Sequence, residues 1–225
     1  MKIVAIGCIH NDIEILPKIF DKLSSYNPDV LISVGDITNA TFPKGFEAKD
    51  VGKIFLEEAR IYFKNILVVP GTWDKDLIPL FEKENVSIHG KGKIIKNIGF
   101  YGFGGAQTPF NTPYEPSEKE IEEGLEIAFN QVKETKIKIQ ATHAPPYQTT
   151  LDLVGIKHVG SQAVRNSIEK FNPNVAICSH IHESVGKDVI KNTIVLNVGK
   201  LTEGYFGLIE IEDNKIKAEI ERILD

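Results

Sequence analysis

A chain of 225 residues with 42% hydrophobic residues can bury a sizeable core, in one large domain or two small ones. A formal net charge of −5 argues against a general nucleic-acid binder, and no apolar run reaches membrane-spanning length, so neither nucleic acid nor membrane is an expected partner. Two cysteines are too few for a disulfide framework, and residues 1–3 lead straight into a strand without the regions of a signal peptide, so a cytoplasmic setting is expected.

Residues 2–7 form an apolar strand that ends in Gly7-Cys8-Ile9-His10-Asn11-Asp12. Ile13, Leu16, Ile19, Phe20 and Leu23 then recur at helical spacing, with Pro17 in the early turns where it does least harm. A β-branched run follows and stops at Gly35-Asp36, as a buried strand would. Val51, Ile54, Phe55, Ala59 and Tyr62 mark the next helix. A third strand over 66–69 ends in Pro70-Gly71-Thr72-Trp73-Asp74, and Leu77, Leu80 and Phe81 mark a short helix. This strand–helix alternation predicts a parallel sheet with right-handed crossovers.

The rhythm changes after Glu84. Short strands are predicted near 86–89, 93–96 and 98–103, followed by a Pro-rich loop over 104–116. Ser117 and Glu120 form a capping box that opens a helix carrying Ile121, Leu125, Ala128 and Val132. A strand over 136–142 ends at His143, and a second long loop runs to Gly160-Ser161. A helix with Val164, Ile168 and Phe171 precedes a strand over 175–178 that ends in Ser179-His180-Ile181-His182. The remainder reads as hairpins, with turns at Lys191-Asn192 and Asp213-Asn214. With no repeat and no linker, a single domain over 1–225 is expected.

Five apolar strands thus end in metal-competent residues: Cys8 and His10, Asp36 with Asn39, Thr72 and Asp74, His143, then His180 and His182. The open end of an α/β sheet is where ligands bind. Imidazole and carboxylate together suit Zn, Mn, Fe or Co rather than Ca or Mg. His180 and His182, two apart on a turn, can reach two neighbouring ions, and Asp36 can bridge them at the ~3.5–4 Å spacing of two-metal hydrolytic sites. Of the other histidines, His89 reads as a surface residue and His158 lies in the second loop. Cys178 reads as strand core.

The order of these residues resembles the calcineurin-like metallophosphoesterase superfamily, whose signature runs Asp-x-His, Gly-Asp-x-x-Asp/Asn, Gly-Asn-His-Asp/Glu, a lone His and Gly-His-x-His. Gly35-Asp36-x-x-Asn39, His143 before Pro145-Pro146, and His180-x-His182 agree with it, and the resemblance spans Gly7 to His182. The tail through Asn197-Val198-Gly199 is similar to a prokaryotic branch with partly eroded motifs. The resemblance implies an α/β fold: a four-layer αββα sandwich of two mixed β-sheets flanked by helices. It implies two divalent metal ions, one held by Cys8, His10, Asp36 and His182 and the other by Asp36, Thr72, His143 and His180.

Three signature positions depart from the family. Cys8 stands for an Asp, Thr72 for an Asn and Trp73 for a His. As a thiolate Cys8 favours Zn or Fe; otherwise it is a small buried hydrophobe. Thr72 is a weak neutral ligand or a turn hydroxyl bonded to backbone. Indole carries no proton at neutral pH, so the family's acid is missing at Trp73. Asp74, that histidine's orienting partner in the family, is a catalytic candidate here, weighed against a capping role. Asn11-Asp12 reads as a cap, and His158 is the candidate replacement for the missing acid. The reading is metal-dependent hydrolysis of a phosphomonoester or phosphodiester in a small phosphorylated substrate, with reduced or specialised activity. Its alternative is a metal- or phospho-ligand-binding protein on the same scaffold. A homo-oligomer stays open.

Overall fold

Strand β1 (Lys2–Ile6) and strand β2 (Val30–Ser33) pair in parallel, and β3 (Ile66–Val68) pairs in parallel with β2. All seven residues of β2 and β3 are buried, as continuous apolar runs covered on both faces must be. Helices α1 (Leu16–Ser24), α2 (Ala48–Tyr62) and α3 (Ile78–Lys83) cover the outer face. Their Phe20, Phe55 and Phe81 pack on Val4, Ile6, Leu31 and Val68. The computed structural model describes residues 1–223.

The second sheet is built from β4 (Lys91–Ile95), β5 (Ile98–Phe103), β6 (Ile137–Thr142), β9 (Val175–Cys178), β10 (Gly186–Ile190) and β11 (Thr193–Asn197), in the order β10-β11-β9-β6-β5-β4. Its four inner strands are parallel and its two edges antiparallel. Helices α4 (Glu118–Asn130) and α5 (Gln162–Phe171) cover its outer face through Leu125, Ala128, Val164 and Ile168. The inner faces of the two sheets meet through Ile3, Ile32 and Leu67 on one side and Phe100, Ile139 and Ile177 on the other. The result is the expected αββα sandwich of two mixed sheets.

A closing hairpin, β12 (Tyr205–Glu212) and β13 (Lys215–Arg222), returns to the first sheet and lays β12 antiparallel to β1. The two predicted hairpin turns are made with left-handed backbone at Lys191, Asp213 and Asn214. The capping box of α4 forms as expected: the Glu120 amide donates to Ser117 Oγ, and the Ser117 amide donates to Glu120.

Two expectations need correction. The segment 86–89 makes only isolated bridges, Val68 with Ser87 and His89 with Gly102, because it carries the chain from one sheet to the other. The second long loop is not wholly irregular. It holds a small hairpin, β7 (Leu153–Val154) and β8 (Lys157–His158), turned at Gly155. Among the described residues no helix is long and apolar enough to cross a membrane.

Candidate metal centre

The C-terminal ends of β1, β2, β3, β6 and β9 converge on one edge of the sandwich. The loop after β1 lies along the loop after β2: the Cys8 amide donates to the Gly35 carbonyl, the Ile9 and His10 amides to that of Asp36, and the Asn11 amide to that of Ile37. Gly71 has to be glycine, since a Cβ there would meet Asp36 Oδ1 at 2.1 Å. Cys8, His10, Asn11, Asp36 and His180 all hold positive φ between 53° and 70°. Left-handed backbone on such residues is costly and gathers where a site needs it.

This crowding brings the predicted donors into two groups, Cys8 with His10 and His182, and Asp36 with His143 and His180. Within each group the ligand atoms lie within 4.8 Å of one another. In the first, His10 Nε2 and His182 Nε2 face each other at 3.3 Å. Cys8 is fully buried, with Sγ 3.0 Å from Ser179 Oγ. Burial, and then the charge of Asp36, push its thiol pKa well up, against the hydrogen bond it shares with Ser179.

In the second group, His143 Nδ1 donates to the Val34 carbonyl at 2.7 Å. The neutral ring then presents a bare lone pair at Nε2, 3.2 Å from Asp36 Oδ2 and with no hydrogen-bond partner. Two acceptors that close need a cation or a proton between them. Burial opposes a charge on His143, but the Asp36 carboxylate outweighs it and raises the pKa of the ring. Burial likewise works against charge on Asp36, and the His143 charge overrides it, holding the carboxyl well below the usual range. Burial first, then His143, brings His180 down to about 3. Burial, and then Lys200, lowers His182. Four imidazoles, a carboxylate and a thiol, with one ring nitrogen already fixed by a backbone carbonyl, make a donor set that fits late first-row divalent ions.

Thr72 gives its hydroxyl to both Asp36 oxygens, at 3.2 and 3.3 Å, rather than to backbone. The Trp73 amide donates to Asp36 Oδ1 at 3.0 Å, so the backbone at this position still serves the site. Asp74 is fully buried and does not cap the following helix with its side chain. Its carboxylate instead accepts from the amides of Gly71, Ile37 and Thr38 and from the Thr38 hydroxyl, clamping the loops after β2 and β3 together. Burial and the nearby Asp36 raise its pKa. Asn11 also departs from a capping role: its amide donates to the Thr41 carbonyl, and Asp12 makes no side-chain cap bond. Asn39 accepts from the Ala40 amide.

His158 stands apart from the two donor groups. Its Nδ1 is 2.7 Å from Asp152 Oδ1, and its ring meets Tyr147 edge-on. His89 is not the surface residue expected. Nδ1 accepts from the Gly104 amide at 3.0 Å, so the proton of the neutral ring sits on Nε2, 2.9 Å from the Tyr114 hydroxyl. Burial depresses its pKa to about 4. Cys178 is core, as expected. Sequence reasoning missed Ser179, Thr38 and the Val34 carbonyl. Each adjoins a strand end already singled out, which is the only signal they carry.

The family described as "Metallophosphoesterase, calcineurin superfamily" matches residues 80–220. An uncharacterized protein of Methanocaldococcus jannaschii, MJ1162, is 42% identical over 204 residues, covering 88% of this chain and 87% of the relative. The crystal structure of TT1561 of Thermus thermophilus superposes with a TM-score of 0.71 at 22% identity, over 96% of this chain and 97% of that one. A dimetal phosphatase from Danio rerio shares the fold with a TM-score of 0.60 at 8% identity, over 99% and 96% of the two chains.

Proposed function

The chain belongs to the metallophosphoesterases of the calcineurin superfamily, and on that footing we propose that the strand-end cluster hydrolyses a phosphoester bond in a small phosphorylated substrate. One observation carries the reading: the buried Nε2 of His143 lies 3.2 Å from the Asp36 carboxylate, a pair that needs a cation or a proton between them, with His180 in the same group. Cys8, His10, Asp36 and His182 would hold one divalent ion, and Asp36, Thr72, His143 and His180 a second, drawn from Zn, Fe, Mn or Co. When bound, such ions supply Lewis acidity to a phosphoryl oxygen and to the attacking water.

The chain's own groups do the positioning. The Val34 carbonyl keeps the His143 proton on Nδ1, and Thr72 and the Trp73 amide aim the Asp36 oxygens. Asp74 holds together the two loops that carry them. Trp73 leaves the signature position without a proton to give, and general-acid help is worth ~10²–10⁴-fold, so esters with stable leaving anions are the favoured substrates. His158 is the candidate proton donor: Asp152 binds its Nδ1, and the adjacent Val159 lines the crevice that reaches His180.

A second reading, metal binding without turnover, is favoured by Trp73 and by the buried, hydrogen-bonded thiol of Cys8. Metal analysis of protein purified without chelator, paired with hydrolysis of an activated aryl phosphodiester, tests both. About two ions per chain and chelator-sensitive hydrolysis are expected. Ions without hydrolysis would favour the second reading, and a chain that takes up no ion would sink both.

A further inference from the structure

The two donor groups open onto very different amounts of room. On the His180 side, the crevice lined by Gln107, Glu118, Ala144 and Val159 has a volume of only about 20 Å³. On the His10 side lies a cavity of about 530 Å³, lined by His10, Asn11, Asp12, Glu14, Pro43 and Phe46. That is the size of a small-molecule site, roughly 300–1,000 Å³, and it shares the His10 wall with the donor cluster.

The walls differ in chemistry. One is apolar: Pro43 and Phe46, with 39% of Phe46 exposed. The other offers only acceptors at its rim, the exposed carboxylates of Asp12 and Glu14. The apolar wall is tied to the site, because Asn11 holds the Thr41 carbonyl and the Phe46 amide closes a turn onto Pro43.

We propose that this cavity receives the organic part of the substrate and selects an aromatic ring that carries hydrogen-bond donors and no negative charge of its own. The inference rests on the phosphoester reading, with the phosphoryl group at the donor cluster. The His10-side cavity has the room for a bulky group that the 20 Å³ crevice beside His180 lacks. A ring covers Phe46 and removes its face from water. N–H or O–H groups on the ring satisfy the two carboxylates, which accept hydrogen bonds but cannot give them. A second phosphate or a carboxylate on the same molecule meets like charges at Asp12 and Glu14.

The test is calorimetric binding of four non-hydrolysable probes to the zinc-loaded protein: methylphosphonate, phenylphosphonate, 4-aminophenylphosphonate and 4-carboxyphenylphosphonate. Phenylphosphonate should bind about tenfold more tightly than methylphosphonate, the amino probe more tightly still, and the carboxy probe more weakly than phenylphosphonate. Phe46→Ala should erase the phenyl advantage and leave methylphosphonate unchanged. Asp12→Asn with Glu14→Gln should restore the carboxy probe. Metal-dependent binding of methylphosphonate with no preference for the ring overturns the cavity inference alone, as does a Phe46→Ala effect equal on both probes. Failure of every phosphonate to bind overturns the phosphoester reading and this inference with it.

Discussion

The group of Asp36, His143 and His180 and the group of Cys8, His10 and His182 sit side by side but are built differently. In the first, Asp36 and His143 are buried and each is held by backbone: His143 by the Val34 carbonyl, Asp36 by the Trp73 amide. In the second only Cys8 is buried, its thiol is tied to a serine hydroxyl, and two imidazole nitrogens confront each other at 3.3 Å. The first group is preorganised for nitrogen and oxygen ligation. The second is softer, more open, and borders the 530 Å³ cavity. On the two-ion reading proposed above, a site so divided should hold its ions with unequal strength and unequal taste.

The largest way to break the contrast is Asp36→Ala, which removes the carboxylate that touches His143 and whose charge reaches every other donor. Ion affinity should fall at least about 100-fold in both groups, since even outer partners of ligands cost 10–100-fold. Near-wild-type metal content by elemental analysis would show that Asp36 is not shared. His180→Ala and His182→Ala should then each remove a different ion, and identical losses would mean that the contrast is false.

Asp74→Ala strikes the loops that hold Asp36 in the inner group, Asp36 with His143 and His180. It strands three buried amides and a hydroxyl, so chemical denaturation should show a loss of about 3 kcal/mol or more. The conservative Asp74→Asn should recover part of this. A loss below about 1 kcal/mol would deny the clamp.

Acidity sharpens the contrast further. The loop that backs onto the inner group runs through the bond from the Tyr114 amide to the Thr72 carbonyl, and His89 holds Tyr114. Burial keeps the folded pKa of His89 at about 4, below its ordinary 6.5. Between those values the unfolded chain binds a proton that the folded chain refuses, so stability falls as the pH falls through that window. The loss should reach roughly 2 kcal/mol, after allowance for the part of the ring that faces solvent. His89→Gln should flatten the dependence of metal-free stability on pH between 6.5 and 4, and an unchanged slope would count against it.

The smallest effect expected is a change of taste. Cys8→Asp should shift the outer group from Zn towards Mn by about tenfold and leave the inner group alone. Asp tolerates the left-handed backbone at this position, where φ is 53°. Competition between Zn and Mn, read by elemental analysis, decides it. If the same shift appears in both groups, the thiol is not confined to one of them.

The strands and the donor cluster were legible in the sequence because both are local. Each apolar run stops at its polar residues, and parallel strands carry their ends to one edge. The clamp made by Asp74, read in the sequence as a catalytic candidate or a cap, was not legible because its partners Ile37 and Thr38 lie 37 and 36 positions away, across a strand pair. His89 looked solvated because nothing near it in sequence announces Gly104 and Tyr114, 15 and 25 positions on. The β7–β8 hairpin has strands of two residues, too short for any periodicity. The apolar run 86–89 has the composition of a strand but the task of a crossing.

The return of β12 to β1 has a consequence in time. Lys2 pairs with Glu210, the Met1 amino group donates to the Ile211 carbonyl, and the Leu201 amide holds the Gly7 carbonyl just before Cys8. During synthesis the strand that carries Cys8 and His10 is made long before β12, and it waits for one of its two neighbours until β12 has left the ribosome. Contacts of such sequence separation form slowly. The sheet edge beside the thiol is therefore among the last parts of the first sheet to close.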